Sequence, residues 1–141
     1  MVMAYLIDVV NDERFEDSRK EVKAALLGAL QFLEKDDVMV EVSLVSDEQM
    51  TQINKESRGQ KSSTTVLSFE EPECIPQPEG EPVQLGEIYL APDMIKQGGY
   101  KISHLAVHAL LHLLGYTHKR RSDTMKMEEL EDEIWQTLLQ D

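Results

Sequence analysis

The chain contains little cysteine, no long apolar run and few positive charges. Cys74 is the only cysteine among 141 residues, so no disulfide can form within the chain. A lone thiol suits a reducing compartment, and we expect a cytoplasmic protein. No apolar stretch approaches the roughly eighteen residues of a membrane-spanning helix. The first residues lack the charged start and long apolar run of a signal peptide, so no membrane partner is expected.

Positive charge is scarce overall but unevenly distributed. The 14 lysines and arginines face 27 acidic residues, which gives a net charge of −13. Residues 96–121 nevertheless contain no acid, and their five cations are Lys96, Lys101, Lys119, Arg120 and Arg121. Residues 54–66 hold three cations and one acid, namely Lys55, Arg58, Lys61 and Glu56. A phosphate backbone could be attracted to these two segments while the rest repels it. The alternative is that the acidic shell only keeps the protein soluble.

Three of the four histidines fall in one array, His108-x-x-x-His112-x-x-Gly115-x-x-His118. Residues four apart on an α-helix lie on one face, so His108 and His112 can direct their imidazoles at one ion. Gly115 can take the left-handed conformation that ends the helix, and His118 can then approach from outside it. Three protein ligands with a fourth position for water are typical of catalytic zinc. The array therefore predicts one Zn²⁺ per chain.

Two details qualify this metal prediction. Metzincin proteases share the spacing, but there a glutamate follows the first histidine and acts as general base. Ala109 occupies that position here, which argues against a peptidase. The fourth histidine, His104, lies one turn before His108. It is open to three interpretations: a partner behind the ligands, a weak extra ligand, or a core histidine bonded to a backbone carbonyl.

The sequence around the histidines resembles the YbeY-type endoribonucleases. His108-Ala-Leu-Leu-His-Leu-Leu-Gly-Tyr-Thr-His118 is similar to that family's H-G-x-L-H-L-x-G-Y-D-H signature, with Ala109 for Gly and Thr117 for Asp. Arg58 followed by Thr64-Thr-Val-Leu-Ser-Phe69, and then Leu85-Gly-Glu-Ile88, resemble two further family segments in the same order. The resemblance implies an endoribonuclease of ribosomal RNA maturation, with single-stranded or ribosomal RNA as substrate and the ribosome or a ribosomal protein as a candidate partner.

The order of apolar patterns predicts an α/β (α+β) fold in a single domain spanning residues 1–141. A chain of this length can bury about two-thirds of its unfolded surface. We expect a small sheet of about four strands packed with four to five helices, one of them a zincin-like metal helix. The strands are expected at residues 4–10, 38–45, 64–69 and 86–90, and the main helices at 16–33, 102–114 and 122–139. A short helix beginning at Ser46 or Asp47, a Pro-rich loop at 70–83 and a turn or short helix after residue 91 complete the prediction.

The leading hypothesis is a zinc-dependent endoribonuclease in which Arg58 is catalytic. Its guanidinium would grip the scissile phosphate in a bidentate fork. Both a water and the RNA 2′-hydroxyl are candidate nucleophiles, because Ala109 and Thr117 occupy the two places where a carboxylate base is expected. A zinc hydrolase of another substrate, such as a peptidase, and a ribosome assembly factor with a structural metal are the alternatives.

Overall fold

The computed structural model describes residues 5–10, 13–35, 38–59, 64–70, 83–115 and 121–138. Four strands and five helices occur in this part of the chain, which confirms the α+β class. The strands are β1 Tyr5–Val10, β2 Val38–Leu44, β3 Val66–Glu70 and β4 Val83–Leu90. The helices are α1 Glu16–Phe32, α2 Asp47–Arg58, α3 Pro92–Gln97, α4 Ile102–Leu113 and α5 Arg121–Leu138, and a 3₁₀ turn at Glu13–Phe15 precedes α1. No helix among the described residues is long and apolar enough to cross a membrane.

The four strands form one mixed sheet in the order β1-β2-β4-β3. β1, β2 and β4 are parallel, and β3 pairs antiparallel with β4 at the edge of the sheet. Parallel neighbours need a long crossover connection, and α1 supplies it between β1 and β2. The connection from β2 to β4 passes through α2 and β3, which brings β3 to the outer side of β4.

The larger core lies between one face of the sheet and helices α1 and α4, and α5 packs against these two helices. β2 presents alternate residues to this face, and the alternation is that of a half-buried strand. The strand side chains whose burial here is described are Val38, Val40, Val42, Leu44, Ile88 and Leu90. α1 and α4 are in direct contact across this core. Each fully buried Leu or Val contributes about 1.5–3 kcal/mol, so this face supplies most of the hydrophobic stabilisation.

A smaller cluster lies on the opposite face beneath α2. Met50 of α2 is fully buried there and packs with Leu67 and Ala91. Ser46 begins α2 with a capping box, in which its side chain accepts from the Gln49 N–H and the Gln49 side chain accepts from the Ser46 N–H. Two of the first orphan N–H groups are thereby satisfied, which explains why the helix begins here, as predicted.

Several predicted boundaries were wrong in detail, most of them by one or two residues. β4 begins at Val83 instead of Gly86, because Val83 and Gln84 pair with β2 although their polar, Pro-flanked sequence hides the strand. β3 likewise continues through Glu70. Arg58 is the last residue of α2. The body of the Pro-rich segment, residues 71–82 with Cys74, lies outside the described residues.

Candidate metal centre

His104, His108 and His112 lie on α4, a helix of which eight of the twelve residues are buried. The face of α4 that points into the larger core is apolar, and its buried members include Ala106, Val107, Leu110 and Leu111. His108 and His112 are half-buried at the border of that core. The helix ends at Leu113, and Gly115 just beyond it has the predicted positive φ, at 102°, and donates its N–H to the carbonyl of His112 at 3.0 Å. A side chain at that φ would be strained, so glycine permits the turn after the second histidine.

The two imidazoles converge through the same ring atom. The Nε2 atoms of His108 and His112 are 3.2 Å apart, and the ring centroids are separated by 4.8 Å at an interplanar angle of 70°. Two nitrogens bound to one tetrahedral zinc at 2.0–2.1 Å are separated by about 3.3 Å. The observed spacing therefore fits two adjacent ligands of one ion. This geometry is consistent with the prediction that the two histidines direct their imidazoles at one ion.

The remaining ligand position cannot be taken from the described residues. His118 lies outside them, and so do Thr117, Lys119 and Arg120. Within the described ranges, no group of three His, Cys, Asp or Glu side chains is arranged to hold a metal. The assignment of His118 as third ligand thus stays a prediction from the sequence.

A carboxylate that the sequence did not point to stands behind His108. Glu131 of α5 places its Oε1 2.7 Å from the Nδ1 of His108, with side-chain exposures of 24% and 33% respectively. A short contact of this kind is a charge-assisted hydrogen bond when Nδ1 carries the proton. α5 contains six acidic residues, and helical periodicity alone does not show which of them faces α4. Only the packing of α5 against α4 distinguishes Glu131 from the others.

His104 does not occupy the core position that was one of its three interpretations. Its side chain is exposed, so that interpretation is wrong. The imidazole instead stacks on Trp135 of α5, with ring centroids 4.1 Å apart and an interplanar angle of 34°. Trp135 is partly buried against the larger core. His104 therefore takes part in the contact between α4 and α5.

Arg58 ends a helix that approaches the same end of the sheet as the histidines. Ser57 lines a groove with Phe69 and Glu87, so the last turn of α2 lies beside the end of β3. On the other face, Gly86 is so close to Phe69 and Leu113 that an added Cβ would overlap the Phe69 carbonyl oxygen and touch Leu113. The C-terminal ends of α2 and α4 consequently both lie near the C-terminal end of β3, on opposite faces of the sheet. The side chain of Arg58 itself is not among the described parts of the chain.

The groove beside α2 is acidic and hydrogen-bonded. Tyr89 donates its hydroxyl to Oε2 of Glu87 at 3.0 Å. Burial raises the pKa of Tyr89, and the hydrogen bond and the negative charge of Glu87 raise it further. The phenol therefore keeps its proton at neutral pH. A phosphate backbone would be repelled by Glu87 here, so this groove does not suit RNA.

Comparison with known proteins decides the family. The sequence profile described as Endoribonuclease YbeY matches residues 7–139. The chain belongs to the YbeY endoribonuclease family. The Endoribonuclease YbeY of Bartonella quintana is 37% identical over 122 residues, which cover 78% of this chain and 75% of that protein. The Bacillus pumilus Endoribonuclease YbeY is 34% identical over 145 residues, with 89% of each chain covered.

A solved structure supports the fold of this YbeY family member. The solution structure of TM1509 from Thermotoga maritima superposes with a TM-score of 0.60 and covers 96% of this chain and 93% of that chain. Its sequence identity is 24%, so the comparison concerns architecture alone. The resemblance drawn from the histidine array, the Arg58 segment and the Leu85–Ile88 strand is confirmed at the level of the family.

Proposed function

We propose that this YbeY family member is a zinc-dependent, single-strand-specific endoribonuclease that acts in ribosomal RNA maturation. The observation that carries the proposal is the 3.2 Å approach of the His108 and His112 Nε2 atoms, on a buried helix that ends in a glycine turn. The family supplies the reaction class, since its named relatives are endoribonucleases. The finer points, namely the zinc ion, the single-stranded substrate and the ribosomal context, are our own.

One zinc ion per chain would be held by His108, His112 and His118. When bound, such an ion lowers the pKa of a water and polarises a phosphoryl oxygen. The two helical histidines present Nε2 to a common point at the rim of the core. Their backbone belongs to a helix packed against α1 and the sheet, so the ligands are held on a rigid element.

Arg58 would be the catalytic residue that binds the scissile phosphate. Its guanidinium carries a permanent positive charge and can donate two parallel hydrogen bonds to one phosphate. Support comes from its place at the end of α2, close to the sheet end that α4 also reaches. In that position it would stabilise the negative charge that develops as the phosphodiester is cleaved. The nucleophile is either a water or the 2′-hydroxyl of the RNA.

The ribosome or a ribosomal protein is the partner that best accounts for the charge of the chain. A net charge of −13 weakens any encounter with free RNA. Delivery of the substrate by a bound ribosomal surface would overcome that repulsion. An rRNA substrate of this kind implies a cytoplasmic enzyme.

The decisive experiment incubates metal-loaded protein with single-stranded ribosomal RNA fragments, with the same fragments annealed to their complement, and with casein. We expect cleavage of the single strands, little cleavage of the duplex and none of casein. His112→Ala should abolish the RNA cleavage, and His104→Ala should retain it. Casein cleavage would favour a peptidase-like zinc hydrolase. Absence of all cleavage by metal-loaded protein would favour an assembly factor with a structural metal.

A further inference from the structure

We propose that Glu131 is the positioning residue for His108, a role that rests on the proposed metal site. By accepting the proton of Nδ1, its carboxylate would fix the imidazole in the tautomer and orientation that present Nε2 to the ion. Glu131 would not touch substrate or metal. It would act only through the ligand.

The geometry of the pair carries the first step. Oε1 of Glu131 lies 2.7 Å from Nδ1 of His108, while Nε2 of the same ring points to Nε2 of His112. A neutral imidazole has one N–H, and a carboxylate can only accept. If Nδ1–H donates to Glu131, Nε2 presents a lone pair on the side where the two histidines converge. Ligating histidines commonly hold this arrangement with a carboxylate, which also raises the basicity of the ligand.

A second contact between the same helices fixes the register of the first. Four residues before His108, His104 stacks on Trp135, which lies four residues after Glu131. α4 and α5 are therefore antiparallel here and meet through two successive side-chain pairs, which lie one turn apart on each helix. A slip of α5 by one residue would rotate Glu131 away by about 100°. The stack thus holds the carboxylate against the ligand.

Burial distinguishes Glu131 from the acids around it. Glu128, Glu129, Asp132 and Glu133 are all exposed, whereas the side chain of Glu131 is only 24% exposed. An acid without a role at the helix interface would gain nothing by giving up hydration. The short bond to Nδ1 compensates for that loss.

The test compares Glu131→Gln and Glu131→Ala with Glu129→Gln, which removes an exposed charge from the same helix. Zinc affinity is measured by competition with a chromophoric chelator, and thermal unfolding is followed with and without metal. We expect about 10- to 100-fold weaker zinc binding for Glu131→Ala. Glu131→Gln should fall between this variant and the parent, since an amide oxygen still accepts from Nδ1. Glu129→Gln should bind like the parent.

The tautomer provides a readout that a merely structural contact would not change. In metal-free protein, nitrogen NMR should show the His108 proton on Nδ1. In Glu131→Ala that preference should be lost, while the Glu129→Gln control retains it. Parent-like affinity and tautomer in Glu131→Ala would overturn the proposal. The proposal would also fail if the loss of zinc affinity were fully explained by a lower stability of the metal-free variant, seen as a lower melting temperature. Glu131 would then only join two helices.

These measurements do not depend on RNA cleavage. If zinc binds through the histidines and Glu131 governs its affinity, but no RNA is cleaved, the proposed function fails and the role of Glu131 stands. If the parent binds no zinc at all, the role of Glu131 fails with the metal site.

Discussion

The hydrophobic cores on the two faces of the sheet differ in size, and the proposed site is divided between these faces. Among the described residues, the side of the sheet with α1, α4 and α5 buries twenty-two clustered hydrophobic side chains, whereas the face under α2 buries four. The histidine pair lies on the side of the larger core, called the thick side below. Arg58 ends the helix on the side of the smaller core, called the thin side. Metal ligands need near-fixed geometry, which a densely packed helix provides. A group that binds phosphate tolerates, and can exploit, a helix with few buried contacts.

The first prediction removes the ligands from the thick side. His108→Ala and His112→Ala should each weaken zinc binding by more than about a hundredfold, because two remaining histidines cannot hold the ion as three do. His118→Ala should do the same if it completes the site. Elemental analysis and the metal-dependent rise in melting temperature measure the effect.

His104→Ala is the matched control for these variants, since it removes a histidine from the same helix. Its zinc affinity should fall by less than about tenfold, because the variant loses only the stacking of the imidazole on Trp135. Stoichiometric zinc in His112→Ala would contradict the site. In a zinc-bound crystal of the parent, the three histidine nitrogens should lie at about 2.0–2.1 Å from the ion.

The second prediction compares the two cores directly. Leu110 and Met50 are both fully buried, on the thick and the thin side respectively. Leu110→Ala should lower the free energy of unfolding by about 3–5 kcal/mol, because the surrounding elements cannot collapse into the cavity. Met50→Ala should cost about 2 kcal/mol, since α2 can settle onto the sheet. Urea unfolding of the metal-free proteins gives both values, and equal costs would show that the two faces are equally rigid.

Most of the fold could be predicted because its signals are local. The alternation in β2, the helical period of α1 and the capping box at Ser46 each report on a few neighbouring residues. The start of β4 could not be predicted, because Val83 and Gln84 are strand residues only through their pairing with β2. Strand order was likewise beyond local pattern. It depends on how the β2–β4 connection carries β3 to the sheet edge.

The candidate site likewise has one part that the local sequence predicts and another that depends on the tertiary structure. The spacing of His108 and His112 is set within one helix, so the sequence alone predicted that they converge. Glu131 lies twenty-three residues after His108 and meets it only because α5 folds back along α4. No feature of the acidic α5 sequence marks that residue. A partner that comes from another element requires the tertiary structure.

The third prediction tests the residue on the thin side. Arg58→Ala should reduce RNA cleavage by at least about tenfold, which corresponds to about 1.4 kcal/mol for the removal of a charge-assisted hydrogen bond. Zinc content should not change. Stability should fall by no more than about 0.3–1 kcal/mol, the usual value of a cation at a helix C-terminus. Single-turnover cleavage of an RNA fragment, with calorimetry of the same samples, measures both.

Lys55→Ala is the matched control, because it removes an exposed cation from the preceding turn of α2. It should cleave at close to the parent rate. Arg58→Lys should recover only part of the activity, since a point charge cannot reproduce the bidentate fork. Full activity of the lysine variant would mean that Arg58 only attracts RNA through its positive charge. Full activity of Arg58→Ala would mean that Arg58 is a surface cation without a role in cleavage.

The last prediction concerns how RNA approaches a chain that repels it. Lys119, Arg120 and Arg121 follow His118 directly in the sequence, whereas Arg19, Lys20 and Lys23 lie on α1. Replacing the first three by glutamine should weaken RNA binding and flatten its salt dependence. Every phosphate that the protein no longer neutralises lowers the slope of log affinity against log salt by roughly 0.7, so the change should approach about 2 for three phosphates.

Replacing the α1 set changes the net charge by the same amount and should leave that slope nearly unchanged, although Arg19 already faces Glu16 at 3.4 Å. Fluorescence anisotropy of a labelled single strand across a range of salt concentrations gives the slopes. Equal losses from the two sets would mean that total charge alone governs binding. A larger loss from the first set would show that RNA approaches the metal across the cations that follow His118 in the sequence.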